Sequence, residues 1–221
     1  MKGQIAPSVM CVDFLHLKET LRELEALGME YLHVDIMDGS FVPNYTLGPD
    51  FCRALKRACK VPLDIHLMVT EPERKLSWFP IGGGDCVSVH YESTPHPLRA
   101  LQAIRALGAK PMLALGPMTP VSVLEHALGT IDGVLIMTVN PGFAGQQLVP
   151  GAFDKLAKAR AFLDAHGGER VRIEVDGNVS FENAIKMRAA GADIFVAGTS
   201  SIFSPGAPLG ELTARLRACI E

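Results

Sequence analysis

The 221-residue sequence has no run approaching the roughly 20 apolar residues that cross a bilayer, so a membrane-spanning helix is not expected. It has no excess of basic residues either. Net charge is -3, and lysine and arginine are spread along the chain, which leaves out the electrostatic footprint of a nucleic-acid binder and points to a small-molecule partner. No CxxC pair occurs among the five cysteines, Cys11, Cys52, Cys59, Cys86 and Cys219. Their odd number and scatter argue against a disulfide framework or a zinc ribbon, and free thiols serving as packing groups are expected, Cys11 included. The opening Met1-Lys2-Gly3-Gln4 leads into a strand-like run without the plan of a signal peptide, so a cytoplasmic location is expected. No linker or low-complexity tract divides the chain, and residues 1–221 are read as one domain.

What is present is ordinary globular composition, 48% hydrophobic and 20% charged, arranged in a repeating order. Short apolar or β-branched runs recur at Ile5 to Met10, Tyr31 to Met37, Pro62 to Val69, Cys86 to His90, Pro111 to Leu115, Val134 to Val139, Val171 to Asp176 and Ile194 to Ala197, and each reads as a strand. Between them lie helical stripes, such as Phe14, Leu17, Leu21 and Leu24, or Leu98, Leu101, Ile104 and Leu107. Gly28, Gly108 and Gly191 stand where a helix stops before the next strand. About eight alternations of strand and helix in this length predict a single (β/α)8 TIM barrel, with its active site at the C-terminal ends of the strands. A doubly wound open sheet is the second choice, but no GxGxxG follows the first strand.

Inward positions near those strand ends carry the chemistry. A period of two puts His33, Asp35 and Met37 on one face of the second strand, and Asp64, His66 and Met68 on one face of the third. Asp176 ends the seventh strand, and Ser8 lies near the end of the first. Singly, a buried histidine is more often a satisfied core residue. Four such groups ending three strands are costly to bury unless they pair or bind metal, and an N2O2 set of His33, Asp35, His66 and Asp176 suits zinc first, then manganese, iron or cobalt. Asp64 and Glu174 fall one layer deeper, in a structural or ligand-orienting position. His90 also points inward, toward substrate or packing. His16, His96, His126 and His166 are expected at the surface. Asp38 precedes Gly39, a turn signal, and is expected to cap loop N–H groups.

Three glycine-bearing loops, Asn140 to Gln146, Gly177-Asn178 and Gly198-Thr199-Ser200, share one rim. Loops after the last barrel strands, at the start of a short helix, commonly bind phosphate through backbone N–H groups. No lysine or arginine is supplied there, and any single loop of this kind is more simply a tight turn. Together they predict a small phosphate ester as substrate.

The segments "APSVM", "HVDIMDGSFVPN", "PLDIHLM", "MTVNPGFAGQ", "EVDG" and "AGTSSIF" occur in order along nearly the whole chain. They resemble the ketose-phosphate 3-epimerases, the ribulose-phosphate 3-epimerase family, which are metal-dependent (β/α)8 barrels. The resemblance implies His33, Asp35, His66 and Asp176 as ligands of one divalent metal, with Asp35 and Asp176 also serving as acid and base. It implies Ser8 and His66 as substrate contacts, Met37, Met68 and Met137 as the lining around the reacting carbon, and Gly142, Phe143, Ala144, Gly145, Gly177, Asn178, Gly198 and Thr199 as the phosphate site. Inversion next to a ketone needs a proton removed from one face and returned to the other, through a metal-stabilised enediolate. No nicotinamide or flavin is needed. A homo-oligomer is the expected assembly.

Where five-carbon members of the family commonly read SILSAD and GSAIF, this chain has "SVMCVD" and "GTSSIF", variants closer to the D-allulose-6-phosphate 3-epimerase branch. Asn178 replaces the second glycine of VDGG, and Gly116 replaces the asparagine of LNPxTP. A six-carbon substrate is therefore expected, with D-ribulose 5-phosphate as the alternative. Barrels that decarboxylate or perform aldol chemistry through Asp-x-Lys-x-x-Asp are disfavoured, because no lysine follows Asp35 at that spacing. A non-catalytic sugar-phosphate or metal-binding barrel is disfavoured by the complete donor set.

Overall fold

Alternating side chains make the barrel, because each strand must bury one face inside it and the other under helices. The computed structural model describes residues 2–221, with Met1 outside them. Among these residues the strands are β1 (Gln4–Pro7), β2 (Leu32–Asp38), β3 (Tyr45–Thr46), β4 (Leu63–Met68), β5 (Cys86–His90), β6 (Lys110–Leu115), β7 (Gly133–Met137), β8 (Arg172–Asp176) and β9 (Ile194–Ala197). The helices are α1 (Leu17–Ala26), α2 (Pro49–Ala58), α3 (Pro97–Ala106), α4 (Ala152–Ala165), α5 (Phe181–Ala189) and α6 (Leu209–Ile220). Parallel pairing runs β1-β9-β8-β7-β6-β5-β4-β2, and a parallel bridge between Ser8 and His33 joins β1 back to β2. β3 adds a short antiparallel edge to the end of β2. This is the expected (β/α)8 architecture.

Val34, Ile36, Ile65, Leu67, Val87, Val89, Val134, Ile136, Ile173 and Val175 join the large core between sheet and helices. Full burial of each such side chain contributes roughly 1.5–3 kcal/mol. The opposite faces fill the barrel, with Ala6, Tyr31, Cys86, Met112 and Ile194 as an apolar layer at the N-terminal end. Gly28, Gly108 and Gly191 all take positive φ at helix ends, as expected. No helix among the described residues is long and apolar enough to cross a membrane.

The structure departs from the expected elements at several points. The first strand stops at Pro7, and Val9–Cys11 turns as a 3-10 helix closed by Cys11 N donating to the Ser8 carbonyl. Two crossovers lack an α-helix among the described residues: β4 to β5 uses 3-10 turns at Pro72–Arg74 and Leu76–Trp78, and β6 to β7 uses one at Val121–Leu124. Pro72, Pro80 and Gly82 to Gly84 in the first, and Pro117, Pro120 and Gly129 in the second, break longer helices. The stripe on α3 is narrower than its spacing suggests, because Leu101 and Ile104 are buried while Leu98 and Leu107 at its ends are exposed. Phe14 lies before α1, exposed against Phe51.

Candidate active site

Parallel register fixes the first half of the site. β2 and β4 pair His33 with Asp64, Asp35 with His66, and Met37 with Met68, so each histidine stands beside a carboxylate of the neighbouring strand. Asp176 comes from the end of β8, opposite Met137 of β7. Four donor atoms converge there. His33 Nε2 is 3.2 Å from Asp35 Oδ1 and 4.0 Å from Asp176 Oδ2; His66 Nδ1 is 3.3 Å and 3.5 Å from the same two oxygens. A tetrahedral ion with bonds of about 2.0–2.1 Å sets its donors about 3.3 Å apart, so these side chains fit a divalent cation. His33, Asp35, His66 and Asp176 are one group able to hold such an ion; His33 with Asp64 and Glu174 is a second.

Burial opposes charge on both imidazoles, yet the carboxylates outweigh it: Asp35 and Asp64 raise the pKa of His33 well above its ordinary value, and Asp176 and Asp35 raise that of His66. Asp35 is also buried, but His33 and His66 hold its carboxyl far below the usual range. Ser8 Oγ donates to Asp35 Oδ2 at 2.8 Å, and Thr46 Oγ1 donates to the Asp35 carbonyl at 2.7 Å. Asp35 is thus oriented from both sides.

Below this level, His33 Nδ1 lies 2.5 Å from Asp64 Oδ2, and Glu174 is fully buried beside the pair. Burial and the neighbouring Asp64 charge push Glu174 well above the ordinary glutamate range. The deeper position expected for both acids is what the structure shows. His66 Nε2 is 2.8 Å from His90 Nε2, and His90 Nδ1 is 3.2 Å from Glu92 Oε2. Burial holds His90 down at about 4. His90 is therefore packed against His66 and Phe41 rather than facing the cavity.

Above the donors opens a cavity lined by Ser8, Asp35, Met37, Met68, Met137 and Asp176, and by the glycine loops. Gly142, Phe143, Ala144, Gly145, Gly177, Asn178, Gly198 and Thr199 all line it, with no lysine or arginine in the lining. His33 and His66 lie beneath this wall with no exposed surface. Gly177, at φ 118, admits no side chain, since a Cβ there would stand 2.6 Å from Val139 and 2.9 Å from Thr138 Oγ1. Asn178 takes a left-handed φ of 48, which asparagine tolerates, and its Nδ2 donates to the Gln146 carbonyl at 2.7 Å. The expected short helix after β9 is only a turn over residues 199–203, with Ser201 N and Phe203 N donating to the Gly198 carbonyl. Pro205 disfavours helical backbone at Ser204, which stops it.

Asp38 caps its loop as expected. Its Oδ1 accepts from Ser40 N and Phe41 N, and its Oδ2 from Thr70 N and Lys75 Nζ. Partial burial opposes ionisation, but those donors lower its pKa far below the usual value. His16, His96, His126 and His166 are exposed. Cys52, Cys59 and Cys86 are buried, while Cys11 and Cys219 are only partly so, Cys11 because it faces the cavity. Sequence reasoning missed Thr138, whose Oγ1 donates to the Asp176 and Gly177 carbonyls at 2.9 and 2.6 Å, and Asn44, whose Nδ2 donates to the Gly142 carbonyl at 2.8 Å. Thr138 stands inside the quoted "MTVNPGFAGQ", and that was its available signal.

The sequence profile of the family described as "Ribulose-phosphate 3 epimerase family" matches residues 4–203. Ribulose-phosphate 3-epimerase of Bacillus subtilis (strain 168) is 41% identical over 197 residues, covering 89% of this chain and 91% of the relative. A relative from Arabidopsis thaliana, ribulose-5-phosphate-3-epimerase, chloroplastic, is 43% identical over 198 residues, covering 89% of this chain and 70% of the relative. In fold, the chain is similar to orotidine 5'-phosphate decarboxylase from Pyrococcus horikoshii OT3, with a TM-score of 0.67 at 16% identity over 98% of this chain and 99% of the other. That likeness concerns the barrel alone.

Proposed function

Because this chain belongs to the ribulose-phosphate 3-epimerase family, and is an isomerase acting on carbohydrates, we propose that it inverts C3 of a ketose phosphate using Asp35 and Asp176 as the proton-transferring pair. The observation that carries this reading is the convergence of His33 Nε2, Asp35 Oδ1, His66 Nδ1 and Asp176 Oδ2 under a cavity floor. Two carboxylates on β2 and β8, separated by β1 and β9 around the barrel, flank whatever lies on that floor. One takes the C3 proton from one face and the other returns a proton to the opposite face. His33 and His66 favour the ionised form of Asp35, the form a base requires, and the Ser8 hydroxyl, which also lines the cavity, donates to its Oδ2. His33, Asp35, His66 and Asp176 would hold a divalent cation, zinc first among candidates, which when bound would supply Lewis-acid stabilisation of the negative charge that develops beside C3. Met37, Met68 and Met137 form an apolar wall that keeps water from the reacting carbon. Backbone N–H groups of the loops at 142–145, 177–178 and 198–199 receive the phosphate.

The named relatives make D-ribulose 5-phosphate the first substrate to test. D-Allulose 6-phosphate remains the second reading, favoured by Met10, Cys11 and Asn178, which stand on the cavity wall at the positions where the chain departs from the usual five-carbon pattern. Measuring kcat/KM for both on one preparation decides between them. Asp35→Asn and Asp176→Asn are each expected to abolish solvent deuterium incorporation at C3 in a folded protein; exchange at the wild-type rate in either variant overturns the two-carboxylate mechanism. A cytoplasmic homo-oligomer is the assembly we propose, supported by Phe14 and Trp78, both more than half exposed where they flank α2. Light scattering that returns the monomer mass rules it out.

A further inference from the structure

His90 and Glu92 contribute nothing to the cavity wall, yet they sit at the back of a ligand candidate in a chain of hydrogen bonds that runs from Glu92 through His90 to His66. We infer that Glu92 and His90 are positioning residues that select the tautomer of His66, so that its Nδ1 lone pair faces the donor cluster. This deepens the metal reading above and rests on it.

Glu92 Oε1 already accepts from Gly116 N at 2.8 Å and from Thr119 Oγ1, and Oε2 faces His90 Nδ1. A carboxylate engaged this way only accepts, so His90 Nδ1 carries the proton. The lone pair of a neutral His90 is then on Nε2, which lies 2.8 Å from His66 Nε2. Only one proton fits between two ring nitrogens at that distance, and it must be on His66. The ring centroids are 5.0 Å apart with planes 26° from parallel, so the nitrogens approach edge to edge, as a hydrogen bond requires. His66 Nδ1, 3.3 Å from Asp35 Oδ1 and 3.5 Å from Asp176 Oδ2, is then the ring nitrogen left to bind a cation together with them. The opposite tautomer of His90 would set two lone pairs against each other at Glu92 and turn an N–H of His66 into the donor cluster.

Gly116 belongs to this device. A Cβ there would stand 3.0 Å from Glu92 Oε1, tighter than ordinary contact, so the bare glycine lets the carboxylate close on the backbone N–H. Lys155 Nζ holds the same loop by donating to the Gly116 carbonyl at 2.5 Å.

The test measures Zn2+ and Co2+ dissociation constants by chelator competition, with thermal unfolding of each metal-free protein. His90→Phe, which keeps a ring against Phe41 but offers no acceptor, is expected to weaken both ions about 10–100-fold. His90→Gln, whose Oε1 can accept from His66 Nε2, should recover most of that loss. Glu92→Leu, at a half-exposed position, should weaken both ions in the same direction with the metal-free Tm unchanged. Wild-type affinity in both the Phe and Leu variants overturns the inference, as does a Gln variant as weak as Phe. A wild-type protein that binds neither ion overturns the metal reading itself, and the inference with it.

Discussion

β2 and β4 carry the same three residue types at inward positions, in different order. β2 presents His33, Asp35 and Met37, while β4 presents Asp64, His66 and Met68. Parallel register therefore puts the two acids at different depths, Asp35 level with His66 in the donor cluster and Asp64 one layer below it. His33 obtains its orienting carboxylate directly from Asp64 at 2.5 Å, because its neighbour on β4 lies at its own level. His66 has Asp35 as its level neighbour, already facing the cluster, and must find its outer partner on β5, in His90. One exchange in residue order thus makes one histidine's support a single contact and the other's a relay.

Removing a donor should break both strands alike. His33→Gln and His66→Gln are each expected to lower kcat/KM at least about a thousandfold, since on the proposed function each would take one ligand from a centre contributing several kcal/mol to charge stabilisation. Steady-state assays with added zinc check this; a tenfold or smaller loss in either variant separates that histidine from the chemistry.

Changing the outer partner sharpens the contrast. Asp64→Asn keeps a hydrogen-bonding side chain beside His33 Nδ1 but removes its charge, and metal affinity is expected to fall about 10–100-fold. The same assay on His90→Gln should show the smaller change, because a neutral acceptor replaces a neutral acceptor. If the order is reversed, the direct contact is not the stronger support.

These donors were legible in the sequence because a strand's period of two leaves little freedom: once β2 and β4 were recognised, His33, Asp35 and His66 had to face inward, and β5 and β9 have the expected bounds residue for residue. What supports them was not legible. Glu92 lies on a turn and reaches Gly116 and Thr119, 24 and 27 residues away, while Asn44 reaches Gly142 across 98 residues. No periodicity connects such positions, since they meet only when the barrel closes. The missing helices after β4 and β6 were marked by prolines and glycines, but the regular order of the other crossovers outweighed that local signal.

Asp38 ends β2 as a structural acid, with no counterpart on β4. Asp38→Asn should cost about 1–2 kcal/mol of stability at pH 7 through weakened bonds to Ser40, Phe41, Thr70 and Lys75. Its folded pKa lies below the unfolded value of about 3.9, so the unfolded chain binds more protons in that window and the stabilisation is lost as pH falls. Denaturant midpoints of wild type and variant should therefore converge below about pH 4; a gap that is constant with pH would assign the effect to something other than the charge.

The smallest expected effect concerns the one inward-facing registered pair in which the strands are alike. Met37 and Met68 are buried together with Val42, with Met10 and Phe41 packed against them. Leucine conserves most of the volume and loses only the flexible reach of the thioether. Met37→Leu and Met68→Leu should each cost less than about 1.5 kcal/mol and differ little from one another. Urea unfolding of the two variants measures this directly. A markedly larger cost on one strand would mean that the asymmetry set by the acids below extends to the top of the barrel, where the residue types are identical and only their neighbours differ.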